Sequence, residues 1–528
     1  MSVARGRRPA TLPAAAARLR AAAVPSTTAG IALGLGALVA ASLLLRSTAL
    51  HARYWIDEGL SLGIAQHPLV DIPGLLLQDG SPPLYYLLLG VWIDMAGFGE
   101  ADTHVLSLAF AVLTVPAAFA GARALFGARA GWLAAALAAC NPYVTYYAQE
   151  TRMYALLALL GLVVAATFPL VFVQRRRAWL WAFAPGLALL VYTHNWGLFL
   201  GAGTVAALAV LVAWAQGEER RALLRDAGLA YGAVALVYLP WVPSLLAQVR
   251  RTGAPWSEQP NLDAVFDGLG LLMGGTAPAV ALLVTCLAGA GALLSAGRGG
   301  PRARALVAIA TLTAVALALA WTASQVSPAW APRYLAVLVG PLLLLVAAGL
   351  AHAGRLAVVA LVIVALFWID PRTSQLEAKS NAHTTAVLVR DRLEPGDLVV
   401  STHPEHAPVM RLYLGGGYRW ATSMGPVADP RIMDWRDALE RLRAARPAAT
   451  TDALVRSLRP GQHLLLVQPI IRSARWRAPW TALVRRRAMQ WERRLDRDPR
   501  LVRTLAVPRF GDGPVPRGVR AVLYEVPG

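Results

Sequence analysis

Long apolar stretches, separated by short polar turns, fill the chain from about Ile31 to Ile369. An α-helix needs about 20 predominantly apolar residues to cross a bilayer. We therefore predict eleven membrane-spanning helices, at residues 28–50, 105–125, 130–147, 153–173, 178–193, 197–215, 227–247, 277–296, 304–323, 335–352 and 355–370. Two further apolar stretches, Leu84–Ile93 and Ala264–Met273, reach only about 10 residues, a length typical of interfacial segments. The pattern predicts an all-α polytopic membrane bundle.

The segment before the first span, residues 1–27, is rich in Arg, Ala and Pro and shows no apolar periodicity. We predict that it is a disordered cytoplasmic tail. A signal peptide also places basic residues before an apolar core, but the apolar part here is longer than usual and no small-residue cleavage site follows it. We therefore expect an uncleaved first span.

Arginines in the turns predict the orientation of the bundle. With eleven spans and the N-terminus inside, every cytoplasmic turn carries arginine, as the positive-inside rule requires. These arginines are Arg123, Arg129, Arg175, Arg176, Arg177, Arg220, Arg221, Arg225, Arg298, Arg302, Arg304 and Arg355. The loops after the odd-numbered spans then open outward, beginning with the large loop 51–104, and so does the segment after Ile369.

The last part of the chain, residues 371–528, is polar, rich in arginine and patterned like a soluble domain. Alternating strand and helix patterns predict a small extracytoplasmic α/β domain. The predicted strands are Leu398–Ser401, His463–Gln468, Thr504–Pro508 and Val519–Val526, and the predicted helices are Thr384–Leu393, Asp434–Arg446, Thr450–Leu458 and Pro479–Arg497. Because this segment lacks a pair of carboxylates or a nucleophile arrangement, we do not expect the reaction centre in it.

Composition supports a membrane protein and argues against one that binds nucleic acid. Hydrophobic residues make up 57% of the 528 residues and charged residues only 15%, against about 25% in a typical soluble domain. The net charge of +20 comes mostly from arginines in turns and in the tail, so we expect membrane lipids as partners and no nucleic acid. Lys379 is the only lysine, which we attribute to a GC-rich genome. Cys140 and Cys286 lie in apolar stretches and predict neither a disulfide nor a zinc site.

The most prominent polar group, Arg53 with Asp57 and Glu58, comes just after the first span. Carboxylates at a membrane surface are costly unless they have a function or stay hydrated, and the sequence leaves both explanations open. If the stretch is helical, Asp57 and Glu58 point about 100° apart. The two carboxylates should then have different roles.

Other polar residues fall in the same set of predicted outer loops. Asp79 precedes Pro82 and Pro83, which predict a rigid turn at the start of an interfacial helix. Gln149, Glu150, Arg152 and Tyr154 lie between the third and fourth spans, His194 between the fifth and sixth, and Arg333 and Tyr334 at the start of the tenth. A planar guanidinium matches phosphate oxygens, so Arg333 suits a lipid-linked phosphate. Structural explanations also exist: a salt bridge between Glu150 and Arg152, a structural His194, and an Arg333 that reaches lipid headgroups.

His403, Glu405 and His406, in the tail, resemble metal ligands by residue type. No further ligands follow at a usual spacing. We therefore do not expect a metal site there.

Taken in order and on one predicted face, these groups resemble the GT-C glycosyltransferases, above all the protein O-mannosyltransferase-like, aminoarabinose transferase and rhizobial galacturonosyltransferase families. The residues that carry the resemblance are Asp57, Glu58, Pro82, Pro83, Leu84, Tyr85, Tyr86, Gln149, Glu150, Arg152, Met153, Tyr154, His194, Pro332, Arg333 and Tyr334. The resemblance covers about residues 30–370 and implies a GT-C transmembrane domain at 28–370.

This resemblance implies an enzyme of the outer face of the cytoplasmic membrane. It would transfer a sugar, mannose or another hexose or pentose, from a polyprenyl-phosphate carrier to a hydroxyl of a glycan, lipid or protein, with inversion. Asp57 is implied as the general base and Glu58 as a residue that orients or helps bind. The implied substrate-binding residues are Arg53, Gln149, Glu150, Arg152, Tyr154, His194, Arg333 and Tyr334, with Arg152 and Arg333 as phosphate contacts. The phosphate-binding lysine of some relatives has no clear counterpart. No cofactor is certain, and a divalent cation, which some relatives bind, stays open.

A transporter or flippase for a lipid-linked sugar is the main alternative. Transporters usually place polar residues and broken helices near the middle of the bilayer, often in paired repeats. Here the polar residues lie at the predicted outer helix ends, and no internal repeat is evident. A membrane scaffold with a partner-binding tail is a third possibility, which would place the activity in the tail.

Overall fold

The computed structural model describes residues 27–296, 299–370, 373–470, 477–508 and 518–528. The predicted disordered segment 1–27 lies outside these residues, apart from Thr27. Helices make up the first two-thirds of the described chain, and a mixed α/β fold follows.

The helices of the first two-thirds are α1 (Thr28–Arg46), α2 (Ile56–Ala65), α3 (Ile72–Asp79), α4 (Leu84–Ala96), α5 (Glu100–Phe126), α6 (Ala128–Cys140), α7 (Pro142–Tyr147), α8 (Tyr154–Phe172), α9 (Leu180–Thr193), α10 (Gly197–Trp214), α11 (Gly217–Tyr238), α12 (Val242–Arg251), α13 (Leu262–Leu272), α14 (Thr276–Ala296), α15 (Pro301–Val326), α16 (Ala336–His352) and α17 (Arg355–Trp368). Short 3-10 turns lie at Arg177–Trp179, Leu239–Trp241 and Pro332–Leu335.

Eight helices of the described residues are long and apolar enough to cross a membrane. They are α1, α5, α8, α10, the continuous α11–α12, α14, α15 and α16 with its preceding 3-10 turn, and a bent pair of helices after Gly354 would make a ninth. Three other predicted spans correspond to α6, α9 and α17, which have only 13, 14 and 14 residues. The count of eleven spans therefore stays a prediction.

The predicted span 130–147 is interrupted in the structure, which breaks it between α6 and α7. Asn141 caps α7, because its Oδ1 accepts a hydrogen bond from the backbone N–H of Val144 at 2.9 Å. Its Nδ2 donates to the carbonyl of Leu272 at 2.9 Å. An asparagine followed by Pro142 at the first helical position is a typical start of a new helix. The break brings the chain round toward the segment that carries Arg152.

The centre of the bundle is a close contact between α8 and α16. A side chain at Gly161 would collide with the carbonyl of Val337, and one at Gly340 would collide with the backbone of Leu162. Small residues let two helices approach closely within a membrane. This contact fixes the ends of α8 and α16, and residues at those ends form the site described below.

Arg46, at the end of α1, is a fully buried cation that joins three helices. Its guanidinium donates to the carbonyl of Ala111 at 2.6 Å and also to the carbonyl of Ala138. Backbone carbonyls are acceptors that can satisfy the donors of a buried arginine. Arg46 therefore holds the end of α1 against α5 and α6, directly before the large first loop.

The tail contains a six-stranded sheet with strand order β3-β2-β1-β4-β6-β5. Its strands are β1 (Leu398–Ser401), β2 (Arg419–Thr422), β3 (Gly425–Val427), β4 (His463–Ile470), β5 (Val502–Val507) and β6 (Gly518–Glu525). Its helices are α18 (Thr373–Glu377), α19 (Ala382–Arg390), α20 (His406–Leu414), α21 (Ala438–Ala444), α22 (Pro447–Arg456) and α23 (Pro479–Leu495). Strands β2, β1 and β4 are parallel, and the other pairs are antiparallel.

The predicted α/β class of the tail is confirmed, and all four predicted strands and all four predicted helices are present. The short strands β2 and β3 and the helices α18 and α20 were not predicted. The predicted helix Asp434–Arg446 is shortened to Ala438–Ala444. Each of these errors concerns a segment of ten residues or fewer, too short for a clear hydrophobic period.

The tail packs directly on α2, the helix that carries Asp57. A side chain at Gly59 would collide with Val409, and one at Gly63 would collide with the carbonyl of Arg431. Backbone hydrogen bonds extend this contact to the neighbouring loops: Trp435 N–H donates to Gln78 at 2.8 Å and Asp437 N–H donates to Arg251 at 2.7 Å. The tail is therefore one wall of the region around Asp57.

Candidate active site

Three chain segments come together beside the first turn of α2. They are the turn between α7 and α8, the turn between α9 and α10, and the 3-10 turn Pro332–Leu335. Tyr143 holds the 3-10 turn in place, because its hydroxyl donates to the carbonyl of Arg333 at 2.8 Å. Many of the polar groups singled out in the sequence thus come together, with the exceptions given below.

Asp57 faces Arg333 across 3.3 Å, measured from Oδ2 to Nε. The two side chains are only 10% and 20% exposed, respectively. Among the described residues, no group donates a hydrogen bond to Oδ2 of Asp57. The carboxylate is therefore held near a positive charge and keeps a lone pair for another donor.

Arg152 supports the backbone on which Asp57 stands. Its Nη1 donates to the carbonyl of Asp57 at 3.0 Å and to the hydroxyl of Ser61 at 2.8 Å. Its Nη2 lies 3.4 Å from the hydroxyl of Tyr154. The side chain is buried, so Arg152 adds a fixed positive charge next to Asp57.

Glu58 points away from Asp57 into the protein, as their helical offset predicts. Its Oε1 lies 2.6 Å from Nε2 of His104 and accepts the backbone N–H of Thr151 at 2.8 Å. Its Oε2 lies 2.8 Å from Nζ of Lys379. Burial raises the pKa of Glu58, but the charges of Lys379 and His104 outweigh it, so the pKa lies below its usual range. The side chain is completely buried, so Glu58 is held inside the protein by these contacts.

Aromatic rings line the region around Arg333. Its guanidinium lies 4.9 Å from the ring centre of Trp256 and 5.4 Å from that of Tyr334. Tyr334 in turn lies 4.6 Å from the ring of His194 and 6.3 Å from that of Tyr154. Flat apolar faces beside charged groups suit a sugar, which has both apolar C–H faces and polar hydroxyls.

His194 is held as a neutral ring. Burial lowers its pKa to about 3, and the charges of Arg152 and Arg333 add to this effect. Its Nδ1 accepts the backbone N–H of Trp196 at 3.1 Å, so the proton of the neutral ring is on Nε2. His194 can therefore donate one hydrogen bond but does not supply a positive charge at neutral pH.

Not every predicted binding residue has a side chain at this cluster. Arg53 forms an ion pair with Glu100 at 3.0 Å and is 47% exposed, so the structure does not bring it to Asp57. Gln149 is buried and accepts the backbone N–H of Ala49 at 2.6 Å, a structural contact. Glu150 is buried close enough to Tyr143 and Tyr147 to act on their hydroxyls electrostatically.

Several residues at the site were not predicted from the sequence. Lys379 and His104 bind Glu58, and Trp256 covers Arg333. Asp79, predicted to lie in a turn, accepts a hydrogen bond from the hydroxyl of Tyr86 at 3.1 Å and, like Asp57, interacts electrostatically with Arg152. Burial raises the pKa of Asp79, against hydrogen bonds from Ser81 and Tyr86 and the charge of Arg152. The uniqueness of Lys379 was the one signal in the sequence that could have pointed to it.

A metal site is not evident in the part of the chain that the structure describes, where no group of three or more His, Cys, Asp or Glu residues could hold an ion. His403, Glu405 and His406 do cluster, but they bind one another. Nε2 of His403 lies 3.0 Å from Glu405, and its Nδ1 lies 3.2 Å from Nδ1 of His406. Trp480 also donates to Glu405 at 2.7 Å. These contacts account for the cluster as a structural network of the tail.

Solved structures of glycosyltransferases resemble this chain in fold. ArnT from Cupriavidus metallidurans bound to undecaprenyl phosphate matches with a TM-score of 0.59 and 17% identity, over 95% of this chain and 99% of that chain. Arabinofuranosyltransferase AftD from mycobacteria matches with a TM-score of 0.57 and 16% identity, over 96% of this chain but only 40% of that chain.

An archaeal oligosaccharyltransferase is also similar. AglB from Archaeoglobus fulgidus, in complex with an inhibitory peptide and a dolichol-phosphate, matches with a TM-score of 0.54 and 12% identity, over 82% of this chain and 69% of that chain. No protein-family model and no curated protein matches the sequence. The structural likeness nevertheless extends over membrane helices and tail together, and the chain has the GT-C fold that these glycosyltransferases share.

Proposed function

We propose that the protein is a membrane glycosyltransferase that moves a sugar from a polyprenyl-phosphate carrier to an acceptor hydroxyl, with Asp57 as the general base. The observation that carries this proposal is the carboxylate of Asp57. It is buried, faces Arg333, and keeps an unbonded Oδ2 among the described residues. ArnT and AglB, which share the fold, have been solved with undecaprenyl phosphate and dolichol-phosphate, and these ligands support a lipid-phosphate donor here.

The chemistry follows from the charges around Asp57. The acceptor oxygen attacks C1 of the sugar and loses its proton to Oδ2 of Asp57. The bond between C1 and the phosphate oxygen breaks, and the polyprenyl phosphate leaves with the electron pair. Attack from the face opposite the phosphate inverts the configuration at C1. The leaving phosphate gains negative charge in the transition state, and a fixed guanidinium such as Arg333 stabilises it.

Arg333 has a second role before the donor binds. Its guanidinium forms an ion pair with the carboxylate of Asp57 at 3.3 Å. A phosphate offers a guanidinium stronger and bidentate hydrogen bonds. Donor binding therefore draws Arg333 toward the phosphate and leaves Asp57 free to accept the proton of the acceptor.

The site belongs on the outer face of the cytoplasmic membrane in this proposal. Asp57, Arg152 and Arg333 lie at one end of the bundle. The arginine-rich turns meet at the other ends of the same helices, where Arg175 and Arg177 pair with Asp226 at 2.8 Å and 2.9 Å. Arginine in short turns is typical of the cytoplasmic side, so the opposite end faces outward.

The decisive experiment is a transfer assay with purified protein in lipid discs and a panel of radiolabelled polyprenyl-phosphate sugars. The wild type should transfer one of these sugars, and Asp57→Asn should lower the rate by about 10²–10⁴-fold, because it removes the general base. Asp71→Asn is the matched control, since Asp71 is exposed and caps no helix through its side chain. Movement of intact donor between leaflets without transfer would instead identify a flippase.

A further inference from the structure

We propose that Lys379, supplied by the tail, is a positioning residue of the transfer reaction. It neutralises Glu58 and so holds the first turn of α2 in the conformation that aims Asp57 at the substrate. The inference rests on the proposed function, because it concerns the geometry of the same base. It also assigns a role to the only lysine of the chain.

The contacts of Glu58 form a closed network. Its two carboxylate oxygens meet Lys379 at 2.8 Å, His104 at 2.6 Å, the backbone N–H of Thr151 at 2.8 Å and that of Trp55 at 3.2 Å. Nδ1 of His104 lies 2.6 Å from the carbonyl of Leu50, so His104 is also fixed from behind. Every partner comes from a different segment around α2. The network therefore holds the start of this helix from several sides.

The network acts on Asp57 through the helix backbone. Glu58 is the third residue of α2, and its side chain caps the backbone N–H of Trp55 directly before the helix. Asp57 lies in the same turn, and its carbonyl is held by Arg152 at 3.0 Å. A rotation of this turn would move the carboxylate of Asp57 away from Arg333. Fixing the position of the Glu58 side chain therefore also fixes the position of the Asp57 carboxylate.

The charge of Lys379 is essential to this arrangement. A buried carboxylate that loses a cationic partner is destabilised, because the remaining contacts to His104 and to two backbone N–H groups compensate only in part for its lost hydration. Without Lys379, Glu58 would have to take up a proton or turn toward water. Either change loosens the first turn of α2.

The geometry argues against direct binding of the donor phosphate by Lys379. Its side chain is 2% exposed, and its Nζ is occupied by Glu58 and lies 3.4 Å from the carbonyl of Gln149. A phosphate contact needs an accessible cation, and the side chain of Arg333 is 20% exposed. Lys379 therefore acts through Glu58.

The test compares Lys379→Met, Glu58→Gln and the double variant, with Arg390→Met as a matched control for loss of an exposed cation from the same segment. Donor affinity, turnover number and melting temperature are measured for each. Lys379→Met should lower kcat by about a hundredfold, the typical effect of a misplaced catalytic group, and leave the Kd of the lipid donor within twofold. The double variant should recover both kcat and melting temperature relative to Lys379→Met, because it leaves no unpaired charge.

Three results would overturn the inference: unchanged kcat in Lys379→Met, a donor Kd weakened more than tenfold at unchanged kcat, or a double variant no better than Lys379→Met. The second of these would make Lys379 a phosphate ligand. If the wild type transfers no sugar, the proposed function fails. The melting temperatures then still decide whether Lys379 and Glu58 form a coupled pair, and no recovery in the double variant would reject that pair as well.

Discussion

At the scale of single residues, adjacent carboxylates have different environments because a helix turns by about 100° per residue. Asp57 is turned to Arg333 and the aromatic rings beside it, whereas Glu58 is turned to Lys379 and His104. Neither side chain can take over the role of the other without unwinding the helix start. The order of the two residues in the sequence therefore determines which carboxylate faces Arg333 and which faces Lys379.

Arg333 gives the clearest test of phosphate binding. Arg333→Gln should weaken the Kd of the lipid donor by about ten- to a hundredfold, because a charge-assisted hydrogen bond to phosphate is worth about 1.5–3 kcal/mol. Arg53→Gln is the matched control, since Arg53 is exposed and pairs with Glu100. Equal donor binding by the wild type and Arg333→Gln, measured by calorimetry, would leave Arg333 as an anchor to lipid headgroups.

His406 should make the protein sensitive to acid. Burial lowers the pKa of His406 well below its usual range, and His403 adds to the effect. The unfolded chain therefore binds a proton near its ordinary pKa of about 6.5 that the folded chain does not bind. Stability should fall as the pH drops below that value, by up to about 1.4 kcal/mol per pH unit.

The measurement for His406 is the melting temperature between pH 7.5 and pH 5. His406→Asn keeps a polar amide in place of the ring nitrogen but cannot take up the proton, so its melting temperature should depend less on pH than that of the wild type. His51→Gln, at an exposed position, serves as the control. Equal pH dependence of the wild type and His406→Asn would refute the prediction.

The sequence predicted which groups meet at the site better than it predicted their partners. Asp57, Arg152 and Arg333 could be grouped because each lies at a helix end that the loop arginines place on the same side. The pairing of Glu58 with Lys379 could not, because ion pairs between distant segments leave no periodic pattern. Arg53 was grouped with Asp57 because the two residues are close in the sequence. Its side chain nevertheless turns to Glu100.

At the scale of elements, α2 joins the membrane helices to the tail. Gly59 and Gly63 are one turn apart and lie on the face that α20 and the Arg431 segment approach. Their lack of side chains allows backbones to come close, as at contacts between membrane helices. The tail therefore packs on one side of α2, and Arg152 donates hydrogen bonds to the other side.

Replacing Gly63 by Ala should loosen this contact. The added methyl group would collide with the carbonyl of Arg431, and overpacking typically costs about 1–3 kcal/mol. We expect a lower melting temperature, faster tryptic cleavage between bundle and tail, and slower transfer. Gly74→Ala is the matched control, because it is a helical glycine of the same loop with open space around it. A Gly63→Ala variant as stable as Gly74→Ala would show that the contact is not tight.

At the scale of the whole molecule, the fold class followed from hydropathy and loop charge, while the way the two parts meet did not. Apolar length predicts where helices lie because each must satisfy its backbone hydrogen bonds within the bilayer. It does not predict docking of a polar domain, which depends on surface shape and on single contacts such as Gly59 with Val409. The short helices α6, α9 and α17 also leave the number of spans to experiment.

Reporter fusions can test the orientation. A reporter in the turn at Arg177 should be cytoplasmic, and one near Val526 should be exported, because arginine-rich turns stay inside. Fusions at Arg220 and at Gly253 provide a second pair, at the two ends of the continuous helix Gly217–Arg251. If both reporters of either pair lay on the same side of the membrane, the prediction that the site residues share the outer face would be wrong.

The contact between Glu58 and Lys379 also sets an order of assembly. The ribosome makes Glu58 early, whereas Lys379 emerges only after all the helices of the bundle. Until Lys379 arrives, Glu58 has to stay hydrated or protonated, because an unpaired buried charge is unfavourable. The start of α2 therefore reaches its final packing last, when the tail docks. If the proposed function holds, a chain truncated before residue 379 should insert into the membrane and yet show no sugar transfer.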